Sequence, residues 1–315
     1  MGRVTRMHCN AEWVAAASYH PVRIANVTLR DSVRTQLAVF DRPDVVSNRL
    51  SQKTATFEKA ELAAFAALLR PKTVVLDIGA NIGWWTFNMA TTHGVHAFEP
   101  NPSNLALQTL SLCLNPRLAR RIITYPVGLY DREPTRCEIY SHPRNVGNTH
   151  TMCGTIQEIA DRVAAHEPLE LRGNVQMRTL DSLIPEWLFY ADKIVKLDVE
   201  GSEQVALMGG TQLLTKGAPP RALFMEVTFF KGTKRRALYR FLEQYGYVPT
   251  HLVRFNMLFV HVKEQLSAPT PIQSNRVASG VCDDYCAFHR PPKCNVTCGL
   301  KGAKNCCEWW RTTGL

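Results

Sequence analysis

Residues 73–83 read Thr-Val-Val-Leu-Asp-Ile-Gly-Ala-Asn-Ile-Gly. The stretch Thr73–Ile78 is apolar without alternation, as a strand buried on both faces requires, and it stops at a glycine. Gly79 and Gly83 let the backbone turn tightly and approach a ligand, with a helix beginning just beyond. The spacing is not G-x-G-x-x-G, and a carboxylate, Asp77, precedes the first glycine. Asp77 would repel a pyrophosphate brought close to this turn, but it suits a cationic amino-acid ligand.

Outward from this turn, helix and strand patterns alternate. Thr56–Arg70 is amphipathic, with Phe57, Leu62, Phe65, Leu68 and Leu69 on one helical face and Pro71 after its end. Downstream, Ile82–His93 reads as a helix, Val95–Phe98 as a strand, Pro102–Leu114 as a helix and Arg121–Val127 as a strand. After a longer middle section come Leu180–Tyr190 (helix), Lys193–Val199 (strand), Glu203–Leu214 (helix), Ala222–Val227 (strand) and Arg235–Tyr245 (helix). Tyr247–Val253 and Met257–Val262 form a hairpin around Phe255-Asn256, and a shorter hairpin is expected within residues 22–40. Such alternation predicts a doubly wound α/β fold with a mainly parallel sheet and helices on both faces.

In that architecture chemistry gathers at the carboxyl ends of the strands. The second strand ends in Phe98-Glu99-Pro100, with Glu99 22 positions after Asp77, where an acid can accept hydrogen bonds from both hydroxyls of a ribose. A site for an amino-acid cation, a ribose and adenine describes S-adenosylmethionine rather than a nicotinamide cofactor. The plainer reading makes Asp77 a helix cap and Glu99 a surface acid. A third constellation is Lys196-Leu-Asp-Val-Glu-Gly-Ser-Glu203. If the strand continues there, Asp198 and Glu200 share a side, and two carboxylates at a cleft rim can hold a metal, position a hydroxyl or act as general base. Glu200 or Glu203 could instead only stabilise the next helix through its dipole. Glu226, in an otherwise apolar strand, needs a partner or a purpose in the site.

The 315 residues are 45% hydrophobic, enough to bury a core, which excludes a mostly disordered chain. No run approaches the ~20 apolar residues of a membrane span. The formal charge of +10 comes from 37 Lys and Arg against 27 Asp and Glu. The arginines are dispersed, the densest runs being Arg120-Arg121 and Lys231 to Arg236, so a solvated basic surface is the simplest account. No basic helix with interleaved aromatics supports a nucleic-acid partner.

The 10 cysteines divide unevenly. Cys9, Cys113, Cys137 and Cys153 are isolated and read as core or surface thiols. Cys282, Cys286, Cys294, Cys298, Cys306 and Cys307 crowd a tail too poor in aliphatics to form a core. Disulfides account for that cluster and imply an oxidising compartment; of fifteen possible pairings none is assigned. Zinc ligation with His289, although the C-x2-C knuckle is absent, and reduced structural cysteines are the rival readings. Asn26-Val-Thr28 and Asn295-Val-Thr297 have the form of glycosylation acceptors. Against a secretory lumen stands the start, where Trp13 to Ala17 is too short for a signal-peptide core. The chain is then either cytoplasmic or begins at a mature or incomplete start.

Taken together, DIGANIG at 77–83, AFEPNP at 97–102, TLDSL at 179–183 and KLDVEGSE at 196–203 resemble, in order and distance, the FkbM-type methyltransferases. The resemblance covers residues 56–262, leaving a lead over 1–55 and a linker and Cys-rich tail over 263–315. It implies a Rossmann-like class I methyltransferase fold: a seven-stranded sheet whose last strand is antiparallel. It also implies S-adenosylmethionine as cofactor and O-methylation of a hydroxyl on a sugar, glycan or small metabolite. By that resemblance Asp77, Gly79, Asn81 and Gly83 line the methionine end of the cofactor, Glu99 takes the ribose, and Asp198 and Glu200 stand by the acceptor. The Trp84-Trp85 pair departs from the family's pattern and either walls the pocket or packs a helix.

A sulfonium is already activated, so transfer needs in-line approach and a desolvated acceptor. Asp198 is the expected base, acting directly or through a bound divalent cation. His142 and the loop Asn145–His150 are further candidates for substrate contact. The sequence Glu99-Pro-Asn-Pro102 lacks the aromatic of the N/D-P-P-Y/F motif, which disfavours methylation of base amines. An RNA methyltransferase and a catalytically silent binding module are the alternatives.

Overall fold

The continuous apolar stretches of the sequence become the centre of a seven-stranded sheet. The computed structural model describes residues 20–52, 57–132, 137–165 and 168–265. The cysteine tail with its acceptor Asn295, the linker before it and Cys9 lie outside the described residues. A hairpin of β1 (Val22–Thr28) and β2 (Arg34–Phe40) leads through helices α1 (Val45–Leu50) and α2 (Lys59–Ala66) into β3 (Val74–Ile78). Then follow α3 (Trp84–Ala90), β4 (Gly94–Phe98), α4 (Pro102–Leu114), α5 (Pro116–Ala119), β5 (Ile122–Tyr125) and the short β6 (Gly128–Leu129). An insertion carries β7 (Cys137–Ser141), β8 (Thr149–Cys153), α6 (Ile156–Ala164) and β9 (Glu170–Asn174). The chain continues through β10 (Met177–Arg178), α7 (Leu180–Leu183), β11 (Lys193–Leu197), α8 (Glu203–Met208), α9 (Thr211–Thr215), β12 (Ala222–Glu226) and α10 (Gly232–Gln244). It closes with β13 (Tyr247–Val253) and β14 (Asn256–His261).

The main sheet has the order β13-β14-β12-β11-β3-β4-β5. Its last strand, β14, runs antiparallel to both neighbours, and the remaining pairings are parallel. This is the expected mixed sheet, with its antiparallel strand inserted between β12 and β13. Alternation along each strand feeds two cores. Leu76, Ile78, Val195, Leu197, Leu223 and Met225 face one. Val75, Ile194 and Phe224 face the other, which also takes in Phe65, Trp84, Trp85 and the inner side of the β1–β2 hairpin. The hairpin is tied to α4 where the Ala38 amide donates to Ser111 Oγ at 2.9 Å. Among the described residues no helix is long and apolar enough to cross a membrane.

Several elements differ from the sequence reading. The helix over 180–190 is interrupted at Pro185, leaving α7 and a 3-10 turn over Glu186–Phe189. The helix over 203–214 divides at Gly209-Gly210, and position 209 needs glycine because a Cβ there would stand 2.1 Å from the Tyr130 carbonyl oxygen. The strand at 193 ends at Leu197, two residues early, so Asp198 and Glu200 owe their common direction to a turn and not to a pleat. The middle section holds a three-stranded antiparallel sheet, β8-β7-β9, and the capped helix α6, neither of which the sequence announces.

Cys137 and Cys153 are not isolated thiols. They are opposed across β7 and β8 and joined by a disulfide with a sequence separation of 16, and Cys113 is disulfide-bonded as well. Cysteines distant in sequence meet because the strand register places them face to face. Replacing both Cys137 and Cys153 by alanine is expected to cost about 3 kcal/mol, the loop-closure value for a ring of this size. Urea denaturation checks this, and an unchanged midpoint would make the bond energetically idle.

Candidate functional site

The turn after β3 and the turn after β11 lie against one another, and glycine makes this possible. Gly79 has φ 81°, and a Cβ there would fall 1.8 Å from the Asp198 carbonyl oxygen. The Asp198 amide donates to the Ile78 carbonyl at 3.0 Å, and the Gly79 and Ala80 amides both donate to the Phe98 carbonyl at 3.0 Å. Lys196, only 3% exposed, completes the junction. Its Nζ donates to the Gly79 carbonyl at 2.8 Å and lies 3.5 Å from Asp77 and 3.4 Å from Asp198. Burial opposes its charge, but Asp198, Asp77 and Glu58 outweigh that and raise its pKa.

Above this junction opens a cavity of about 450 Å³. Gly79, Asn81, Glu99 and Lys196 contribute to its wall, and so do Asp198 and Glu200 at the other end. Asp77 does not reach the wall: it is wholly buried, accepts a 2.6 Å hydrogen bond from Thr86 Oγ1 and faces Lys196. Gly83 also stands behind the wall, where it opens α3. Both act on the cavity through what they hold in position.

Glu99 is 4% exposed and well satisfied. It accepts from the Asn81 amide at 2.8 Å, the Asn101 amide at 2.8 Å and Asn104 Nδ2 at 3.2 Å. Burial nevertheless dominates these donors and pushes its pKa up to about 7. Nearby, Pro100, Val127, Leu129 and Met177 give the cavity an apolar side.

At the opposite end, one carboxylate oxygen from each of Asp198, Glu200 and Glu226 lies within 4.8 Å of the others. Glu200 is swung inward by a left-handed φ of 54°. Glu203 holds that turn from beneath, accepting from the Val199 amide at 3.0 Å and the Gly201 amide at 3.3 Å. The helix-terminal role thus belongs to Glu203 and the cavity position to Glu200. Burial, then the charges of Asp198, Glu226 and Glu203, push Glu200 up to about 8, against a hydrogen bond from Asn148. Burial and Asp198 push Glu226 up to about 7.

The tryptophan pair both walls the cavity and packs the helix. Trp84 Nε1 donates to the Phe57 carbonyl at 2.9 Å and Trp85 Nε1 to Glu58 Oε2 at 2.5 Å, so together they fix the segment 57–58 over the site. The loop between β7 and β8 also reaches it. Gly147 accepts from Asn81 Nδ2 at 3.1 Å and Asn104 Nδ2 at 2.9 Å, and its amide donates to Asp44 at 2.9 Å. Asn145, Gly147, Asn148 and Thr149 line the cavity, whereas His142 binds the Arg144 amide outside it. Lys196, Glu58, Asp44 and Asn104 were missed from sequence. Only Lys196 carried a signal, as a charged residue inside an apolar strand.

A family model described as the methyltransferase FkbM domain matches residues 77–249. Among solved structures, an FkbM methyltransferase from Methylobacillus flagellatus KT is 20% identical, with a TM-score of 0.39, over 62% of this chain and 46% of that one. A T. thermophilus 16S rRNA N2 G1207 methyltransferase, solved with S-adenosylmethionine and guanosine, is 14% identical, with a TM-score of 0.40, over 76% of this chain and 50% of that one. The chain thus spans about half the length of either. No curated protein matches it.

Two outcomes are expected from these contacts. Lys196→Met leaves Asp77 buried without its counter-charge and should cost about 3–5 kcal/mol in denaturant unfolding, partly restored by adding Asp77→Asn. A single variant as stable as the parent would remove Lys196 from this role.

The second concerns pH. Glu58, Glu99, Glu203 and Glu226 are raised to about 7 and Glu200 to about 8, each chiefly by burial. The folded chain therefore binds more protons than the unfolded one in this range, and the stability these groups contribute is lost as pH rises through their folded values. The buried histidines oppose this only below 6.5, the value from which burial lowers them, and Lys193, lowered by burial to about 8, offsets part of it only as pH nears 8. The melting temperature of the ligand-free protein should fall between pH 6.5 and 8; a rise over that interval would contradict the assignment.

Proposed function

The chain belongs to the FkbM methyltransferase family, and from that membership we propose that it is an S-adenosylmethionine-dependent O-methyltransferase acting on a hydroxyl of a sugar, glycan or small metabolite. The observation that carries the reading is a single cavity with the buried acid Glu99 at one end and the convergent acids Asp198, Glu200 and Glu226 at the other. Glu99, a buried acid held by the Asn81 and Asn101 amides in the cavity wall, supports cofactor binding.

Glu99 would hold the ribose hydroxyls, the apolar side at Val127, Leu129 and Met177 would hold the adenine, and the turn Gly79 to Asn81 would hold the methionine end. When bound, S-adenosylmethionine supplies an activated methyl group on a sulfonium. Asp198 is the base that takes the proton of the acceptor hydroxyl, with the Lys196 ammonium 3.4 Å away keeping its carboxylate oriented. Phe57, Trp84 and Trp85 line the cavity and would keep water from the reacting end.

A divalent cation is a second reading of the same acids. Three carboxylates with oxygens within 4.8 Å make a hard-oxygen donor set suited to magnesium or manganese. The ion would orient the acceptor oxygen and lower its pKa.

Titration calorimetry with S-adenosylmethionine, followed by labelled methyl transfer to sugars, glycans and RNA, tests the proposal. Asp198→Asn should retain cofactor affinity and lose about 10²-fold or more in turnover, the usual scale of a general base. Near-parental turnover would remove the base assignment, and turnover unchanged by a chelator would remove the cation.

A further inference from the structure

Outside the cavity, α1, α2 and the β13–β14 turn enclose a groove of about 660 Å³. Its surface combines Val45, Phe57 and Ala63 with the cations Arg49, Lys59 and Arg254. Val45, Phe57, Glu58 and Arg254 also line the cavity, so the two spaces adjoin along these four residues.

Charge is distributed unequally between them. The cavity gathers Glu58, Glu61, Glu99, Asp198, Glu200 and Glu226 against two cations, the buried Lys196 and Arg254 at the edge it shares with the groove. The groove is cationic: Arg254 stands 3.5 Å from Glu61, while among the described residues no acid pairs with Arg49 or Lys59. Its one acid, Glu58, turns its carboxylate inward to the Trp85 indole. An apolar floor with a cationic rim fits a sugar ring that bears a negative group.

We propose that this groove receives a phosphate or carboxylate carried by the methyl acceptor, so that the acceptor is an anionic sugar or glycan whose reacting hydroxyl enters the cavity while its charge stays outside. The inference deepens the O-methyltransferase reading and rests on it. It also explains why a strongly acidic cavity can serve an anionic substrate: the charge never has to pass the carboxylates. Specificity would then come from the distance between the groove and Asp198.

The test uses the full chain loaded with S-adenosylhomocysteine and titrated with glucose, glucose 6-phosphate and glucuronate. At least one anionic sugar should bind about tenfold or more tightly than glucose, a margin of about 1.4 kcal/mol, and should weaken as ionic strength rises. The two anionic arms separate a phosphate from a carboxylate preference. The double variant Arg49→Glu/Lys59→Glu should lose the preference while keeping its affinity for S-adenosylhomocysteine and its melting temperature. Equal binding of glucose and both anionic sugars, or a preference that survives the double variant, would overturn the proposal. Failure of S-adenosylhomocysteine itself to bind would instead overturn the methyltransferase reading. Titration of the unloaded chain and the double variant with inorganic pyrophosphate then still decides the groove: tighter binding by the parent supports it, and equal binding refutes it.

Discussion

Lys196 meets Asp77, Asp198 and the Gly79 carbonyl where the ends of β3 and β11 abut. Withdrawing an ammonium or a carboxylate from water costs several kcal/mol, and neither sign would be tolerated alone at this depth. Each is kept because the other is present. The turn at Gly79, the direction of Asp198 and the floor of the cavity all follow from that arrangement. Asp77 contributes from behind the wall, where it joins Lys196 to Thr86 of α3 and so couples the central strand to the helix that carries both tryptophans.

An acidic interior within a chain of formal charge +10 is the main electrostatic feature. Carboxylates facing the cavity at close range raise one another's pKa and favour whatever brings positive charge among them. A sulfonium with its ammonium, or a divalent cation, meets that need; a polyanion does not. Beside the cavity stand the cations Arg49 and Lys59, with Arg254 at the edge that groove and cavity share.

The insertion after β6 supplies part of the wall from outside the main sheet. Its hairpin is closed by the Cys137–Cys153 bond, and the loop between its strands delivers Gly147 to Asn81, Asn104 and Asp44. Asp44 also caps α1 by accepting from the Ser47 amide at 2.7 Å. One carboxylate thus links the segment before α1 to the insertion, and segments about a hundred residues apart close on the same side of the cavity.

Local sequence made the sheet legible, although β11 stops at Leu197, two residues short of its apolar pattern. The unbroken apolar run before Gly79 and the acids at 99 and 198 are local signals, set by burial on both faces and by the turn chemistry that follows a strand. The resemblance carried by 77–83, 97–102, 179–183 and 196–203 extended them to a methyltransferase fold, and the family match agrees. Tertiary structure alone decided which acids face the cavity. Asp77 and Glu203 look equivalent to Glu99 and Glu200 in the sequence, yet the first pair turns to Thr86 and to backbone amides while the second lines the wall. It also decided the partners of Lys196, the approach of Glu58 through the tryptophans and the pairing of Cys137 with Cys153. These are contacts between residues distant in sequence, and periodicity and spacing describe only how a segment meets its immediate neighbours.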